Sequence, residues 1–358
     1  MPRAILLPIM DLLLYFLGLA VGVAILVKSA DWFTDASVSI AYRFNVPEII
    51  IGATLVSLAT TLPEFAVSFA AALEHKVDMA VGNAVGSTIC NIGLILGLCT
   101  ILSPMGVARK GFVRSGVGLL LLCFLFAFLG YTFPEGTRWA GVALLACLVV
   151  YFATTVRSTM IHRTKDPLRV EVVGEPVPET TLEGLAAETT VDGAQRVVLA
   201  TGLSGPWIAA YFVIGAVGVV GGSKLVVHCA EQIALAAGIS RQIIALTLVA
   251  LGTSTPELVV SIAAILKKQR GLSIGNIIGA NILNLAWVMG AASLVTIIPF
   301  NTQNLHFDIP VMLLLTILLL LFGFTGERLS RREGAVLLTV YVVYVTLLFT
   351  VYRVPAMT

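Results

Sequence analysis

Charge is scarce in this sequence. Asp, Glu, Lys and Arg together make up 12% of 358 residues, against about 25% in an ordinary soluble domain. The two signs nearly cancel, 22 basic against 20 acidic, so no basic surface is available for nucleic acid. Cysteine is sparse too. Cys90, Cys99, Cys123, Cys147 and Cys229 are scattered through apolar stretches with no Cys-x-x-Cys or Cys/His spacing. That pattern argues against a disulfide framework and a zinc site. The four histidines do not cluster, which argues against transition-metal ligation. No nucleophile–base pair and no nucleotide loop can be found. Gly221-Gly222-Ser223-Lys224 has the wrong glycine spacing for a P-loop and lies in an apolar run. No cofactor is expected, and nothing marks the chain as an enzyme.

What is abundant is apolar residue, 58% of the chain, with a mean hydropathy of +0.99. The implied solvent is a lipid bilayer. A membrane span needs about 20 mostly apolar residues. Ten such stretches are present, at roughly 8–28, 45–73, 80–102, 111–131, 138–156, 207–236, 241–266, 273–298, 308–325 and 334–352. The first begins near the N-terminus and continues without a processing signal, so it reads as a span rather than a signal peptide. Residues 157–206 differ. They hold Arg157, Arg163, Lys165 and Arg169, then acids from Glu171 to Asp192, and cannot bury a core. They read as a hydrophilic linker between residues 1–156 and 207–358.

Lys and Arg set the orientation. With the N-terminus outside, the short cytoplasmic loops carry eleven basic residues, the external segments six, and the cytoplasmic linker five more. Both termini are therefore expected outside and the linker inside. Trp139 and Trp207 sit near span ends as interfacial anchors. Asp31, Asp35, Glu48, Lys224 and Glu231 are expected near span ends, solvated.

The halves repeat. Residues 52–97 align with 245–290 at a constant offset of 193, without gaps, and 18 of 46 positions are identical. Shared hydrophobicity does not account for matched Pro63/Pro256, Glu64/Glu257, Asn83/Asn276 and Asn91/Asn284. Five spans per half is an odd number, so the halves are expected upside down relative to each other. Inverted repeats with a site near the midplane characterise secondary transporters. The fold expected is therefore an all-α membrane protein of ten transmembrane helices in two inverted five-helix repeats.

Polar residues inside the repeat form stripes. Ser57, Thr60, Thr61, Glu64 and Ser68 share one helical face. Their counterparts are Ala250, Thr253, Ser254, Glu257 and Ser261. Pro63 and Pro256 lack an N–H, which frees carbonyls at Ala59 and Gly252. Hydroxyls, carbonyls and carboxylates are hard donors suited to Ca²⁺, and Na⁺ accepts the same set. Ser87 and Asn91 in the next span, with Asn284 in its counterpart, add to this face. Asn83 and Asn276 read as interhelical hydrogen-bond glue, and Gly82/Gly86 and Gly275/Gly279 as packing. Glu64 and Glu257 are different, because an ionisable group at membrane depth is a functional candidate by default. Together the two carboxylates would balance one Ca²⁺.

At these residues the chain resembles the Ca²⁺/cation antiporter superfamily, in its prokaryotic sodium/calcium exchanger branch. The segments that carry the likeness read G-A-T-L-V-S-L-A-T-T-L-P-E and A-L-T-L-V-A-L-G-T-S-T-P-E, then G-N-A-V-G-S-T-I-C-N and G-N-I-I-G-A-N-I-L-N. The resemblance implies that Glu64 and Glu257 are shared ligands for Ca²⁺ and Na⁺. It implies that Thr60, Thr61, Thr253 and Ser254 add hydroxyl or carbonyl oxygens. Ser57 and Ala250 match positions that supply backbone carbonyls, and Ser87, Asn91 and Asn284 match the rest of the polar ring. The first helices of the two halves would slide as a pair past the remainder. The implied setting is the plasma (inner) membrane of a prokaryote, with the protein working as a monomer. The chain departs from the pattern at Ala280, where many members have Ser, and at Asn284, where many have Asp. It also has Ala59 for the usual Gly and Thr61 for the usual Ser.

Two rival readings share these residues. A Ca²⁺/H⁺ antiporter of the same fold would use Glu64 and Glu257 as proton carriers. A cation channel is more remote, since the chain shows an inverted repeat and no pore-loop signature.

Overall fold

The computed structural model describes residues 2–44, 46–107, 109–165, 186–191, 194–199, 205–236, 250–326 and 328–351. Their architecture is helical. The first half contains α1 (Pro2–Arg43), α2 (Glu48–Thr60), α3 (Leu62–Leu73), α4 (Val77–Leu102), α5 (Arg109–Thr132) and α6 (Arg138–Lys165). The second contains α7 (Gly205–Ala236), α8 (Ala250–Thr253), α9 (Thr255–Leu266), α10 (Arg270–Val295), α11 (Asn304–Phe324) and α12 (Arg331–Val351). Among the described residues, seven helices are long and apolar enough to cross a membrane, or eight if the bent pair α2/α3 counts as one span. α9 is apolar but short, and the residues before α8 that would complete its span lie outside the described residues. α12 stands where the tenth span is expected, with three charges in its first three residues.

The first span is longer than its hydropathy. α1 has 42 residues, about 63 Å at 1.5 Å per residue, twice the ~30 Å of a hydrocarbon core. Lys28, Asp31 and Asp35 end the apolar run, but the helix continues because each charge finds somewhere to go. Lys28 sits over the Trp32 ring at 5.6 Å. Asp31 and Asp35 pair with Lys267 in the α9–α10 turn, at 3.4 and 2.9 Å. The two aspartates are thus partly buried in an ion pair instead of fully solvated.

α1 packs chiefly along α7, and small residues allow the approach. A Cβ on Gly18 would meet Cys229 Sγ at 2.7 Å, and one on Gly215 would meet the Phe33 backbone at 2.7 Å. Phe33 and Phe212 seal the far end with rings 4.8 Å apart. This pair shares a small apolar cluster with α2, α9 and α10. A larger cluster joins α4, α5, α6, α10, α11 and α12, including Phe112, Phe126, Ile277, Leu285 and Leu315.

Two short antiparallel ribbons complete the fold. Met105–Gly106 pairs with Arg328–Leu329, tying the α4–α5 loop of the first half to the α11–α12 loop of the second. Ala186–Val191 pairs with Ala194–Leu199 inside the segment read as a linker. The β-branched residues Thr189, Thr190 and Val191 on one strand and Val197 and Val198 on the other favour extended backbone there. α6 also runs past 156 to Lys165.

Local geometry recurs at the sequence offset. π-turns begin at Asn91 and at Asn284. Among the described residues, the two non-glycine positions with positive φ are His75 (58°) and Lys268 (59°), again 193 apart. Burial, however, differs between the halves. Gly275, Asn276 and Gly279 on α10 are buried, whereas Gly82 on α4 is exposed and Asn83 and Gly86 are half-buried. A Cβ on Gly275 would collide with the Ile49 carbonyl oxygen and lie 3.0 Å from Ala53 N. At Gly82 nothing among the described residues comes within 4 Å. Gly275→Val should therefore lower stability in detergent through overpacking, by about 1–3 kcal/mol. Gly82→Val should stay within about 0.5 kcal/mol of the parent. Thermal unfolding of both variants checks this.

Candidate cation site

The site forms where two helices break. α2 meets α3 at an angle of 48°, and the break falls at Thr61 (φ −78°, ψ −3°). In the second half it falls at Ser254 (φ −86°, ψ 5°). Pro63 and Pro256 follow each break, where a missing N–H costs nothing in the first turn of a new helix. Glu64 and Glu257 are then third in α3 and α9. A carboxylate in the first turn of a helix faces the positive end of its dipole.

Both glutamates are fully buried, and each is held by the other half. Thr61 Oγ1 donates to Glu257 Oε1 at 3.5 Å, and Ser254 Oγ donates to Glu64 Oε1 at 3.3 Å. Behind them a second pair of links obeys the same exchange. Thr60 Oγ1 donates to Asn276 Oδ1, and Thr253 Oγ1 donates to Asn83 Oδ1, both at 3.2 Å. The amides are anchored in turn: Asn83 Nδ2 donates to Ser68 Oγ at 2.8 Å, and Asn276 Nδ2 to Ser261 Oγ at 3.3 Å. Asn83 and Asn276 therefore do act as glue, and what they hold in place is the threonine pair.

Several oxygens in this region take no hydrogen bond among the described residues. Glu64 Oε2, Glu257 Oε2, Ser87 Oγ, Asn91 Oδ1 and Asn284 Oδ1 are buried without a partner among the described residues. Leaving so many buried acceptors unpaired is costly. The unpartnered oxygens are carboxylate, hydroxyl and amide groups, a donor set that fits a hard cation. Among the described residues no three His, Cys, Asp or Glu side chains gather into a cluster. Asp308 is a buried carboxylate of the opposite kind. Asn304 Nδ2 (3.0 Å), Gln303 Nε2 (3.3 Å) and Tyr344 Oη (3.0 Å) all donate to it, so its role is structural.

Of the eleven expected site residues, Thr60, Thr61, Glu64, Thr253, Ser254 and Glu257 are brought together by these bonds. Ser57 lies on the same face of α2 and is buried. Ser87, Asn91 and Asn284 are buried on α4 and α10 with the free oxygens named above. Ala250 opens α8. One expected donor is engaged elsewhere: the carbonyl of Gly252 accepts the Ser223 hydroxyl of α7 at 3.2 Å, so the helix break there is satisfied by a neighbouring helix. One polar residue lies outside the expected set. Asn281 is buried, and its Oδ1 accepts Asn91 Nδ2 at 3.0 Å. Its repeat counterpart is Thr88, which bonds back to Ala84 O, so the match between halves does not single it out.

Asn276→Ala should remove the bonds to Thr60 and Ser261, leaving Thr60 only the Ser57 carbonyl, and lower stability by about 1–2 kcal/mol. Asn276→Asp should lose more, because it buries a further carboxylate beside Glu64 and Glu257 and gives up the donor to Ser261. Melting temperatures of the two variants beside the parent check the difference.

A model of the sodium/calcium exchanger protein family matches residues 14–157 and 207–350, two segments displaced by the same 193 residues. Sodium/calcium exchanger MaX1 of Methanosarcina acetivorans is 30% identical over 356 residues, covering 93% of this chain and 98% of its own. The putative antiporter CaxA of Alkalimonas amylolytica is 34% identical, covering 92% and 97%. Among solved structures, the sodium-calcium exchanger NCX_Mj superposes with a TM-score of 0.75 at 30% identity, covering 94% of this chain and 98% of that one. The match spans both halves and the helices that carry the site, and the chain belongs to the sodium/calcium exchanger family.

Proposed function

We propose that the protein is a secondary active antiporter that exchanges Ca²⁺ for Na⁺ across a membrane by alternating access. The observation that carries this reading is the pair of fully buried glutamates, cross-linked by hydroxyls from opposite halves, each with one oxygen left unpartnered. Among the described residues no basic side chain bonds to them. Their charge must be met from outside the protein. One Ca²⁺ or two Na⁺ meet it in full, and three Na⁺ leave one positive charge over. Because both ions need the same carboxylates, each excludes the other, which is the condition for exchange. Glu64, Glu257, Thr60, Thr61, Thr253 and Ser254 form the centre of the site in this reading. Ser57, Ala250, Ser87, Asn91 and Asn284 complete it. The family is one of transporters, so the ions are cargo, and the chain carries out no bond chemistry.

The two halves act as inverted five-helix repeats, ten spans in all, with residues 157–206 as a cytoplasmic linker and both termini outside. Support comes from the offset of 193 shared by sequence, π-turns and cross-links. The halves are alike in chemistry and unlike in exposure. Gly82, Asn83 and Gly86 are open where Gly275, Asn276 and Gly279 are sealed. With the expected orientation, this is a state open to the outside. α1 and α7, which pack mainly on each other, are the parts free to shift. The setting is the plasma membrane of a prokaryote, and a monomer contains the whole site.

The test is ⁴⁵Ca²⁺ uptake into proteoliposomes loaded with Na⁺ and diluted into Na⁺-free buffer, beside an arm with only a pH gradient. Uptake is expected in the Na⁺ arm. Uptake confined to the pH arm would instead make the protein a Ca²⁺/H⁺ antiporter. Glu64→Gln and Glu257→Gln each remove one charge from a buried ionic site, a loss of about 3–5 kcal/mol, so exchange should fall about 100-fold or more. Full exchange in either variant would exclude the shared-carboxylate mechanism.

A further inference from the structure

The ring of cation donors breaks the chain's own symmetry at two places. Ser57 has Ala250 as its counterpart, and Ser87 has Ala280. Taken one half at a time, the second half has lost two hydroxyls. The packing pairs these positions differently. α2 lies on α10, and the Ser57 hydroxyl rests against Gly279, where a Cβ would collide with it and sit 2.6 Å from Ala53 Cα. Gly279 is the residue before Ala280. Ser57 thus sits against the residue preceding Ala280 across the boundary between halves, and the repeat relates these two positions to Ala250 and Ser87. Each pair holds one serine and one alanine, contributed from opposite sides.

Ser57 is buried on the stripe that carries Thr60, Thr61 and Glu64. Its hydroxyl donates to Thr54 O at 3.1 Å, which spends the proton and leaves the oxygen lone pairs. Ser87, at the related place, has a buried hydroxyl oxygen with no partner among the described residues. We infer that the Ser57 hydroxyl is a Na⁺ ligand that replaces the oxygen absent at Ala280, so that each end of the site keeps one serine. This rests on the exchange reading above and goes beyond it, since the family pattern gives residue 57 only a carbonyl. A Na⁺ position completed by this hydroxyl needs it more than Ca²⁺ does, because Ca²⁺ is held chiefly by the two carboxylates.

The experiment is Na⁺-dependent ⁴⁵Ca²⁺ exchange by the reconstituted full chain, with Ser57→Ala, Ala280→Ser and the double variant. Ser57→Ala should raise the half-saturating Na⁺ concentration about three- to tenfold while leaving the Ca²⁺ KM within about twofold. Adding Ala280→Ser should restore the Na⁺ dependence. If Ser57→Ala leaves Na⁺ dependence unchanged, shifts both ions equally, or is not rescued by Ala280→Ser, the hydroxyl serves only its bond to Thr54 and the inference is wrong. Absence of any Na⁺-driven exchange by the unsubstituted protein would overturn the exchange reading itself, and this one with it.

A second inference comes from charge. Lys267 in the α9–α10 turn holds Asp31 and Asp35 of α1 on the sealed side. Its repeat counterpart is Glu74, and those of Asp31 and Asp35 are Lys224 and His228 on α7. The sign of every partner is reversed or made basic. On the open side this second set is apart. Glu74 bonds to Lys76 at 2.6 Å in an exposed turn, and Lys224 is exposed with no ion pair among the described residues. The pattern points to a pair of alternating latches, of which Lys267 closes one face and Glu74, on Lys224 and His228, closes the other. Hydrogen exchange of residues 267–276 in the full chain reads the balance. Lys267→Gln should raise it several-fold, Lys267→Glu with Asp35→Lys should restore protection, and Glu74→Gln should shift it the opposite way. No change in the first variant, or changes of the same sign in Lys267→Gln and Glu74→Gln, would overturn the latch.

Discussion

Two negative charges with no positive side chain beside them are the constraint on which the rest of the structure depends. Moving a carboxylate from water into a protein interior costs several kcal/mol even after relaxation. Glu64 and Glu257 are both fully buried, and among the described residues the side chains that donate to them are hydroxyls. The fold lowers the cost where it can, by setting each carboxylate in the first turn of a helix and bonding it to a hydroxyl of the opposite half. It leaves the remainder to be met by cations. A site left negative resists being closed, so passage from one side to the other is cheap only when the site is loaded. In the proposed mechanism, exchange in place of leak follows from that electrostatic cost.

The broken helices serve the same constraint. A continuous helix would satisfy its own backbone and offer a cation only side chains. The bends at Thr61 and Ser254 bring two half-helix N-termini to one place and turn Thr60, Thr61, Thr253 and Ser254 toward the carboxylates. The cross-links then force the halves to meet at the site, since each half completes the other's donor set. The carboxylates and their hydroxyl partners are matched between the halves, so these bonds give the site no preferred face. The packing around it differs among the described residues: a Cβ on Gly275 or Gly279 would collide with α2, whereas nothing described comes within 4 Å of one on Gly82 or Gly86.

Much of this is legible in the sequence because local chemistry repeats. The offset of 193 relates both helix breaks, the π-turns at Asn91 and Asn284 and the two glutamates. The Thr/Ser-x-Pro-Glu context marks which face of α2 and α8–α9 carries donors. Features that depend on distant partners are not legible. The ion pair from Asp31 and Asp35 to Lys267 spans more than 230 residues, and hydropathy alone ends the first span at Lys28. The carbonyl of Gly252 reads as free because proline removes its local donor, but Ser223, nearly thirty residues earlier, supplies another. Asn281 breaks the repeat, and matched positions carry no trace of an unmatched one.

Asn284 shows how the same constraint limits the composition of the ring. Its side-chain oxygen and nitrogen are both buried without partners among the described residues, so it holds a polar place without charge. A carboxylate there would raise the ring to three negative charges. One Ca²⁺ would then leave one charge unmet, and neutral loading would take three Na⁺ or a Ca²⁺ with one further monovalent cation. With the amide, two charges face one divalent ion or two monovalent ions, and no third cation is needed for neutrality. A neutral Asn284 therefore confines the electrostatic demand to Glu64 and Glu257. Any cation beyond the first two Na⁺ must be held by oxygens that carry no charge, such as those of the serines and amides around the ring. Such a cation would be bound more weakly than the others and would carry the net charge of the cycle.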